Sequence, residues 1–236
     1  MTGLPGVAET AALIADPARA TMLIALLDGR ARPAGELAVC AGVTPQTASS
    51  HLARLTDGGL LTVERQGRRR YYRLAGAPVA QALEQLAAIR PAGPIRRKAM
   101  TPKARELRFA RCCYDHLAGW LGVAVTGALE RREYLVAAPD KAFLLTPAGA
   151  AWFVEVGVEV AALKPARRGL GLARQCLDWT ERAPHLAGPL GTAFLAALCE
   201  EGWVRRSGET RRVELTPKGQ IEMKRRLDID ARPSAI

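Results

Sequence analysis

Seven residues from position 112 onward carry side chains suited to holding a soft ion: Cys112, Cys113, Asp115, His116, Cys176, Asp178 and His185. Thiolate and imidazole together prefer thiophilic ions such as zinc, copper(I) or trivalent arsenic, and a thiol is also a target for oxidants. Within one helix, Cys112 and His116 would be i, i+4 neighbours, a spacing that can share a metal. Arg111 beside Cys112 would favour its thiolate. Two other readings stay open. Free cysteines are common apolar fillers, and Asp and His can cap helices. A small organic effector is the third, with Trp120 and Trp179 available to line its pocket.

A second set of residues suits a polyanion. Thr44, Gln46, Thr47, Ser50, His51 and Arg54 offer short donors and acceptors at helical spacing, and Arg65, Arg68, Arg69 and Arg70 crowd a short stretch just after them. Side chains of this kind read base edges and grip phosphates.

The elements that must position this second set can be read from local chemistry. Glu36 to Ala41 predicts a helix with Leu37 and Cys40 on one face, and Gly42 supplies a residue able to take positive φ. Thr44-Pro45 predicts a helix start, a hydroxyl N-cap followed by a proline that needs no amide partner. Ala48, Leu52 and Leu55 form its apolar stripe, and Asp57, Gly58 and Gly59 end it. Leu60 to Glu64 and Arg69 to Leu74 then read as two strands around Gln66-Gly67, with Leu61 and Val63 pairing inward with Tyr72 and Leu74. Upstream, Val7 to Ala15 and Ala18 to Leu27 predict helices split by Asp16-Pro17. Val79 to Ile89 predicts a final helix whose Ala80, Leu83, Leu86 and Ala87 suit a dimer surface.

From about residue 7 to 90 the chain resembles the winged helix-turn-helix domain of the ArsR/SmtB family of bacterial transcriptional regulators. The carrying runs are Asp16-Pro17-Ala18-Arg19, Glu36-Leu37-Ala38, Val43 through Leu52, Gly59-Leu60-Leu61, and Gly67 through Leu74. The resemblance implies a homodimer paired through its first and last helices, which binds promoter DNA and releases it when an effector binds. It also implies that Gln46, Thr47, Ser50 and His51 face the DNA. The family's two usual metal boxes are absent from this sequence. Only Cys40 stands where a Cys-x-Cys pair would be, and 78–90 holds neither Asp nor His. Cys40 is therefore expected to be a small buried apolar group.

The remainder of the chain repeats itself. The run HLAGWLGVA from His116 returns as HLAGPLGTA from His185, and Leu145-Thr146-Pro147 returns as Leu215-Thr216-Pro217. Each copy reads as helix, strand, turn, strand, helix, with Thr capping the final helix. Such a duplication predicts two pseudo-symmetric modules with a crevice between them. Tyr134 and Trp203 open equivalent strands and are expected in the core, as is Cys199. Pro91-Ala92-Gly93-Pro94 marks a boundary. The basic run Arg96, Arg97, Lys98, Lys103, Arg105, Arg108 and Arg111 reads as a solvated connecting segment, with contact to the DNA backbone as the other reading. The stretch from Gly169 to Arg174 reads as a linker, since no apolar strand precedes it.

Bulk properties narrow the function class. The formal charge of +11 suits a polyanionic partner, yet 1–90 holds 10 Lys+Arg against 7 Asp+Glu and 91–236 holds 24 against 16. Local concentration on the arginine hairpin therefore supports DNA binding better than the total does. No segment reads as a membrane span or an export signal, and five cysteines, an odd number, suit reduced thiols in the cytoplasm. With three histidines and no GxSxG, P-loop or HExxH motif, the sequence does not read as an enzyme.

The expected fold is mainly α with short β-hairpins (α+β). Residues 1–90 form a winged helix-turn-helix DNA-binding and dimerisation domain, and 91–111 a linker and basic helix. A duplicated effector domain spans 112–228, with helix–hairpin–helix repeats at about 112–160 and 176–228, and 229–236 form a flexible tail. The expected function is a homodimeric, cytoplasmic repressor of an imperfectly palindromic operator in double-stranded DNA. It would be released by a thiophilic metal or metalloid ion, an oxidant or a small organic effector, with no membrane partner. The alternative is a non-regulatory DNA-architectural or interaction protein.

Overall fold

Asp16 and Thr44 each stand before a proline, and each opens a helix. In the computed structural model, which describes residues 6–67, 69–89, 102–165, 171–207 and 210–231, the chain divides into two compact units, Met1–Leu83 and Glu84–Ile236. The first begins α1 (Val7–Ile14), α2 (Pro17–Ala25), β1 (Arg32–Pro33), α3 (Ala34–Ala41) and α4 (Pro45–Asp57). It continues with β2 (Leu61–Gln66), β3 (Arg69–Leu74) and α5 (Ala77–Ile89), the helix that carries the chain into the second unit.

Local chemistry sets the α3–α4 corner. Gly42 ends α3 at φ 65°, where any side chain would be strained. Oγ1 of Thr44 then accepts the amide of Thr47 at 3.2 Å, a cap that contributes about 1 kcal/mol. Ala48, Leu52 and Leu55 of α4 are buried, as are Met22, Leu23 and Leu37. The strands form an antiparallel sheet in the order β1-β3-β2, with Leu61 opposite Leu74 and Val63 opposite Tyr72. Two expectations need correcting. Val63 shares the predicted register but remains 42% exposed, because burial along β2 ends at Leu61. Cys40 is exposed and Ala38 is buried instead, because α3 begins at Ala34 and turns Leu37 and Ala38 inward.

The second unit begins α6 (Pro102–Phe109), β4 (Arg111–Cys113), β5 (His116–Ala118), α7 (Gly119–Arg131), β6 (Leu135–Ala138), β7 (Ala142–Leu145) and α8 (Pro147–Glu155). After a 3-10 turn at Val160–Ala162 come β8 (Ala173–Leu177), β9 (Pro184–Ala187), α9 (Gly188–Glu200), β10 (Val204–Arg206), β11 (Val213–Leu215) and α10 (Pro217–Leu227). Each half thus carries a hairpin before its first helix, an element that the expected helix–hairpin–helix order lacks. Residues 112–116 are that hairpin, so Cys112 and His116 are not helical neighbours. Likewise Ala173 and Arg174 begin a strand where a linker is expected.

The halves exchange their hairpins. The β8–β9 hairpin extends the β6–β7 ribbon into a four-stranded sheet, β6-β7-β8-β9. The β4–β5 hairpin reaches the β10–β11 ribbon through a bridge between Arg111 and Arg212. In the same sense α7 packs on β9 and α9 on β5. Close approach of these layers demands glycine. A Cβ on Gly122 would lie 2.6 Å from the carbonyl oxygen of Leu117, and one on Gly191 2.6 Å from that of Leu186. One apolar core, including Leu121, Leu129, Phe153, Leu190, Phe194 and Trp203, fills the unit. Tyr134 and Cys199 are partly buried against it.

The predicted boundaries shift in two places. Residues 102–111, expected in a basic linker, build α6 and begin β4, and Arg111 is 2% exposed because Asp178 binds it. Ile229 and Ala231 are buried in the core, so no loose tail starts at 229. Arg96, Arg97, Lys98 and the boundary run 91–94 lie outside the described residues, as does the side chain of Lys103. Among the described residues, no helix is long and apolar enough to cross a membrane.

Candidate functional site

Two constellations stand out, one in each unit. In the first, the buried stripe of α4 turns its other face outward, and Gln46, Thr47, Ser50 and Arg54 are exposed along it. Thr44 is exposed at the N-cap, with its hydroxyl 2.9 Å from that of Thr47. His51 is partly buried: Nδ1 lies 3.4 Å from a guanidinium nitrogen of Arg19, and Nε2 lies 4.0 Å from Asp16. The structure therefore sets His51 at the edge of the exposed face, against the start of α2. Arg65, Arg69 and Arg70 are exposed on the β2–β3 ribbon, Arg65 opposite Arg70. Arg73 pairs with Glu64 at 2.8 Å, and Arg68 lies outside the described residues. The ribbon thus offers cationic groups to solvent.

The second constellation is built by strand register. Cys113 and His116 are directly opposite on the β4–β5 hairpin, and Cys176 and His185 directly opposite on the β8–β9 hairpin. Opposite residues share a face of a ribbon, so each hairpin delivers one thiol and one imidazole together. The four ligating atoms lie within 4.8 Å of one another, and all four residues are buried. Sγ of Cys113 is 3.9 Å from Sγ of Cys176, and Nε2 of His116 is 3.1 Å from Nε2 of His185. Cys112 is buried but pairs with Leu117 on the other face of the ribbon, and it does not join the cluster.

Carboxylates orient both rings. Nδ1 of His116 is 2.9 Å from Asp115, held beside it by a tight turn at Tyr114, whose φ is 59°. Nδ1 of His185 lies 3.4 Å from Oδ2 of Asp178, an ion-pair distance whose geometry falls short of a hydrogen bond. Asp178 is fully buried and accepts two guanidinium bonds from Arg111 at 2.9 Å each, besides the amide of Gly119 at 2.7 Å. Arg111 also lies 4.9 Å from the ring centroid of Trp179. Its guanidinium is therefore committed to Asp178, which corrects the expectation that it activates Cys112.

Electrostatics follows from these contacts. Burial works to raise the pKa of Asp178, but the His185 ring and Arg111 outweigh it and hold the carboxyl well below its usual range. The contact with Cys176, reinforced by burial, pushes the Cys113 thiol up to about 12. Burial disfavours charge on His116, but Cys113 and Asp115 more than offset it and raise its pKa. Among described residues the four atoms converge without solvent access, so the expected crevice is a packed cluster at this point. Trp120 stacks on Phe109 and joins the core, while Trp179 is 41% exposed.

Residues 14–64 match the model of a helix-turn-helix domain family, HTH_20. Over 225 residues the chain is 41% identical to the HTH-type transcriptional regulator YdfF of Bacillus subtilis (strain 168), covering 95% of this chain and 98% of that protein. It is 42% identical over 73 residues to the HTH-type transcriptional regulator CmtR of Mycobacterium tuberculosis, covering 31% of this chain and 61% of that one. The chain belongs to the ArsR family of helix-turn-helix transcriptional regulators. Among solved structures, the homodimeric winged helix-turn-helix DNA-binding domain of Mb0332 from Mycobacterium bovis is 32% identical. That match has a TM-score of 0.32 and covers 36% of this chain and 86% of that one. The YdfF match runs through both units of the regulator, whereas the CmtR match is confined to a third of the chain.

Proposed function

We propose that this regulator acts as a homodimer that binds a specific, imperfectly palindromic operator, and that an effector held in its second unit sets its grip on DNA. Release of a repressed promoter on effector binding is the expected mode. One observation carries the DNA reading: the exposed polar face of α4 and the exposed arginines of the β2–β3 ribbon lie in one small unit. In that reading α4 enters the major groove with Gln46, Thr47 and Ser50 toward base edges. Arg54, Arg65, Arg68, Arg69 and Arg70 grip flanking phosphates, and His51 supports the helix from its edge. Exposed apolar side chains support pairing of two copies through α1 and α5, with Val7 at 68%, Leu86 at 51% and Ile89 at 75% exposure.

The second unit reads as a duplicated module, supported by the same element order in both halves and the reciprocal exchange of hairpins. Its residues admit a thiophilic metal or metalloid, an oxidant or a small organic effector. The test begins with operator selection from a random duplex pool, followed by fluorescence anisotropy on the selected and scrambled duplexes. A specificity ratio above about 10³ is expected. Gln46→Ala is expected to reduce discrimination at one base pair by about 1–3 kcal/mol. Equal affinity for unrelated duplexes would instead identify a DNA-architectural protein.

A further inference from the structure

We infer that Cys113, His116, Cys176 and His185 form a closed four-coordinate site for a single thiophilic divalent cation of the zinc class. This deepens the effector reading above by naming the ligand chemistry, but the site itself rests on geometry that does not depend on that reading. In a tetrahedral zinc site with Zn–S of about 2.3 Å and Zn–N of about 2.0–2.1 Å, ligand atoms stand about 3.8 Å apart for S···S and about 3.3–3.4 Å for N···N. The four residues already place Sγ to Sγ at 3.9 Å and Nε2 to Nε2 at 3.1 Å. The four atoms span up to 4.8 Å, against about 3.6 Å for S···N in such a tetrahedron, so a closing movement of roughly 1 Å would complete the coordination sphere.

The rings give a second argument. Each Nδ1 faces a carboxylate, at 2.9 Å from Asp115 and 3.4 Å from Asp178. A carboxylate partner favours the tautomer with the proton on Nδ1, leaving Nε2 as a lone pair. With one proton between them, two Nε2 atoms 3.1 Å apart form an N–H···N hydrogen bond, and a cation would take that proton's place. The same carboxylate–imidazole pairs would orient the ligands and strengthen them as donors.

Composition and burial choose the ion. Two sulfurs and two imidazole nitrogens in a tetrahedron match zinc, with cadmium or cobalt(II) able to substitute. Trivalent arsenic, which is better served by a set of thiolates, finds only two here. Two thiolates balance a divalent charge, so the filled site is neutral and can stay buried. All four ligands are 7% exposed or less, which leaves no open coordination position for chemistry. Occupancy would therefore act by tying one hairpin from each half to the other, with two thiol protons released as the two metal–sulfur bonds form.

The test titrates cobalt(II) into the reduced, metal-stripped full chain and follows d–d and thiolate charge-transfer absorption. One equivalent per chain with tetrahedral bands, displaced by zinc(II), is expected. Cys113→Ser and Cys176→Ser should each abolish those bands, with circular dichroism reporting their folding, while Cys112→Ser should keep them. The site is overturned if the wild-type chain gives no tetrahedral spectrum, or if the spectrum survives in Cys113→Ser and Cys176→Ser. Operator affinity is measured in parallel with and without zinc(II). Tetrahedral binding with unchanged operator affinity would refute the effector reading and leave the metal site standing. Operator release by another molecule, with no cobalt binding, would do the reverse.

Discussion

Replacing Arg111 by methionine should destabilise the second unit more than any other single loss of charge there. The Arg111 side chain is 2% exposed, and Asp178, its partner, has none of its side chain exposed. The guanidinium donates to both Asp178 oxygens at 2.9 Å and to Oγ1 of Thr180 at 3.2 Å. Methionine fills much of the same volume but leaves the carboxylate without its cation. Gly119 and Thr180 still donate to it, so it is not stripped of hydrogen bonds. Removing one partner of a buried pair costs about 3–5 kcal/mol. For a unit of this size about 2–4 °C of melting temperature goes with each kcal/mol, so a fall of about 6–20 °C is expected. Differential scanning calorimetry of the full chain measures it, with the first unit's transition as the internal reference. Adding Asp178→Asn to Arg111→Met removes the orphaned charge, so the double variant should be more stable than Arg111→Met alone. A shift under about 2 °C for Arg111→Met, or no recovery in the double variant, would show that charge compensation is not what Arg111 supplies.

Gly191→Ala should cost about 1–3 kcal/mol in urea unfolding, because the new methyl would sit 2.6 Å from the Leu186 carbonyl oxygen and 3.4 Å from Cβ of His116. Gly122→Ala should cost a similar amount for the matching reason, 2.6 Å from the Leu117 carbonyl oxygen and 3.5 Å from Cβ of His185. A neutral effect at both positions would mean the helices do not need that approach to the hairpins. Arg69→Ala should lower operator affinity across all duplexes and reduce the slope of log K against log salt by about 0.9 per lost phosphate contact, about 1.8 for a dimer with two wings. An unchanged slope would detach the β2–β3 ribbon from DNA.

Residues whose role is local are legible in the order of amino acids alone. Thr44-Pro45 and Thr216-Pro217 announce helix starts because a cap is a contact across three residues, and Gly42 announces a corner because one dihedral decides it. The alternation of Leu61, Tyr72 and Leu74 sets the ribbon's register, although alternation cannot say that Val63 lies where the core ends. The seven thiol, imidazole and carboxylate residues are recognisable by type, but their assembly is not. Helical spacing ties Cys112 to His116, whereas the tight turn at Tyr114 puts Cys113 there instead. The matching order in each half, Cys113 ahead of His116 and Cys176 ahead of His185, each pair just before the half's first long helix, points to a shared pocket but not to which four atoms meet. Arg111 escapes a sequence reading for a related reason. Its partner Asp178 lies 67 residues away, and no local pattern points to a pairing made by folding two halves together.

The exchange of hairpins brings one strand pair from each half of the second unit to the cluster. Each half supplies one sulfur and one ring, and the Cβ of each histidine lies beside a glycine of the other half's helix, His185 at Gly122 and His116 at Gly191. Substituting a ligand in one hairpin therefore leaves the other three polar members buried and facing a gap, not merely a smaller core. That interdependence favours a shared ligand over coincident packing, because packing alone gives no reason for two sulfurs and two Nε2 atoms, carried by different strands, to converge on one point.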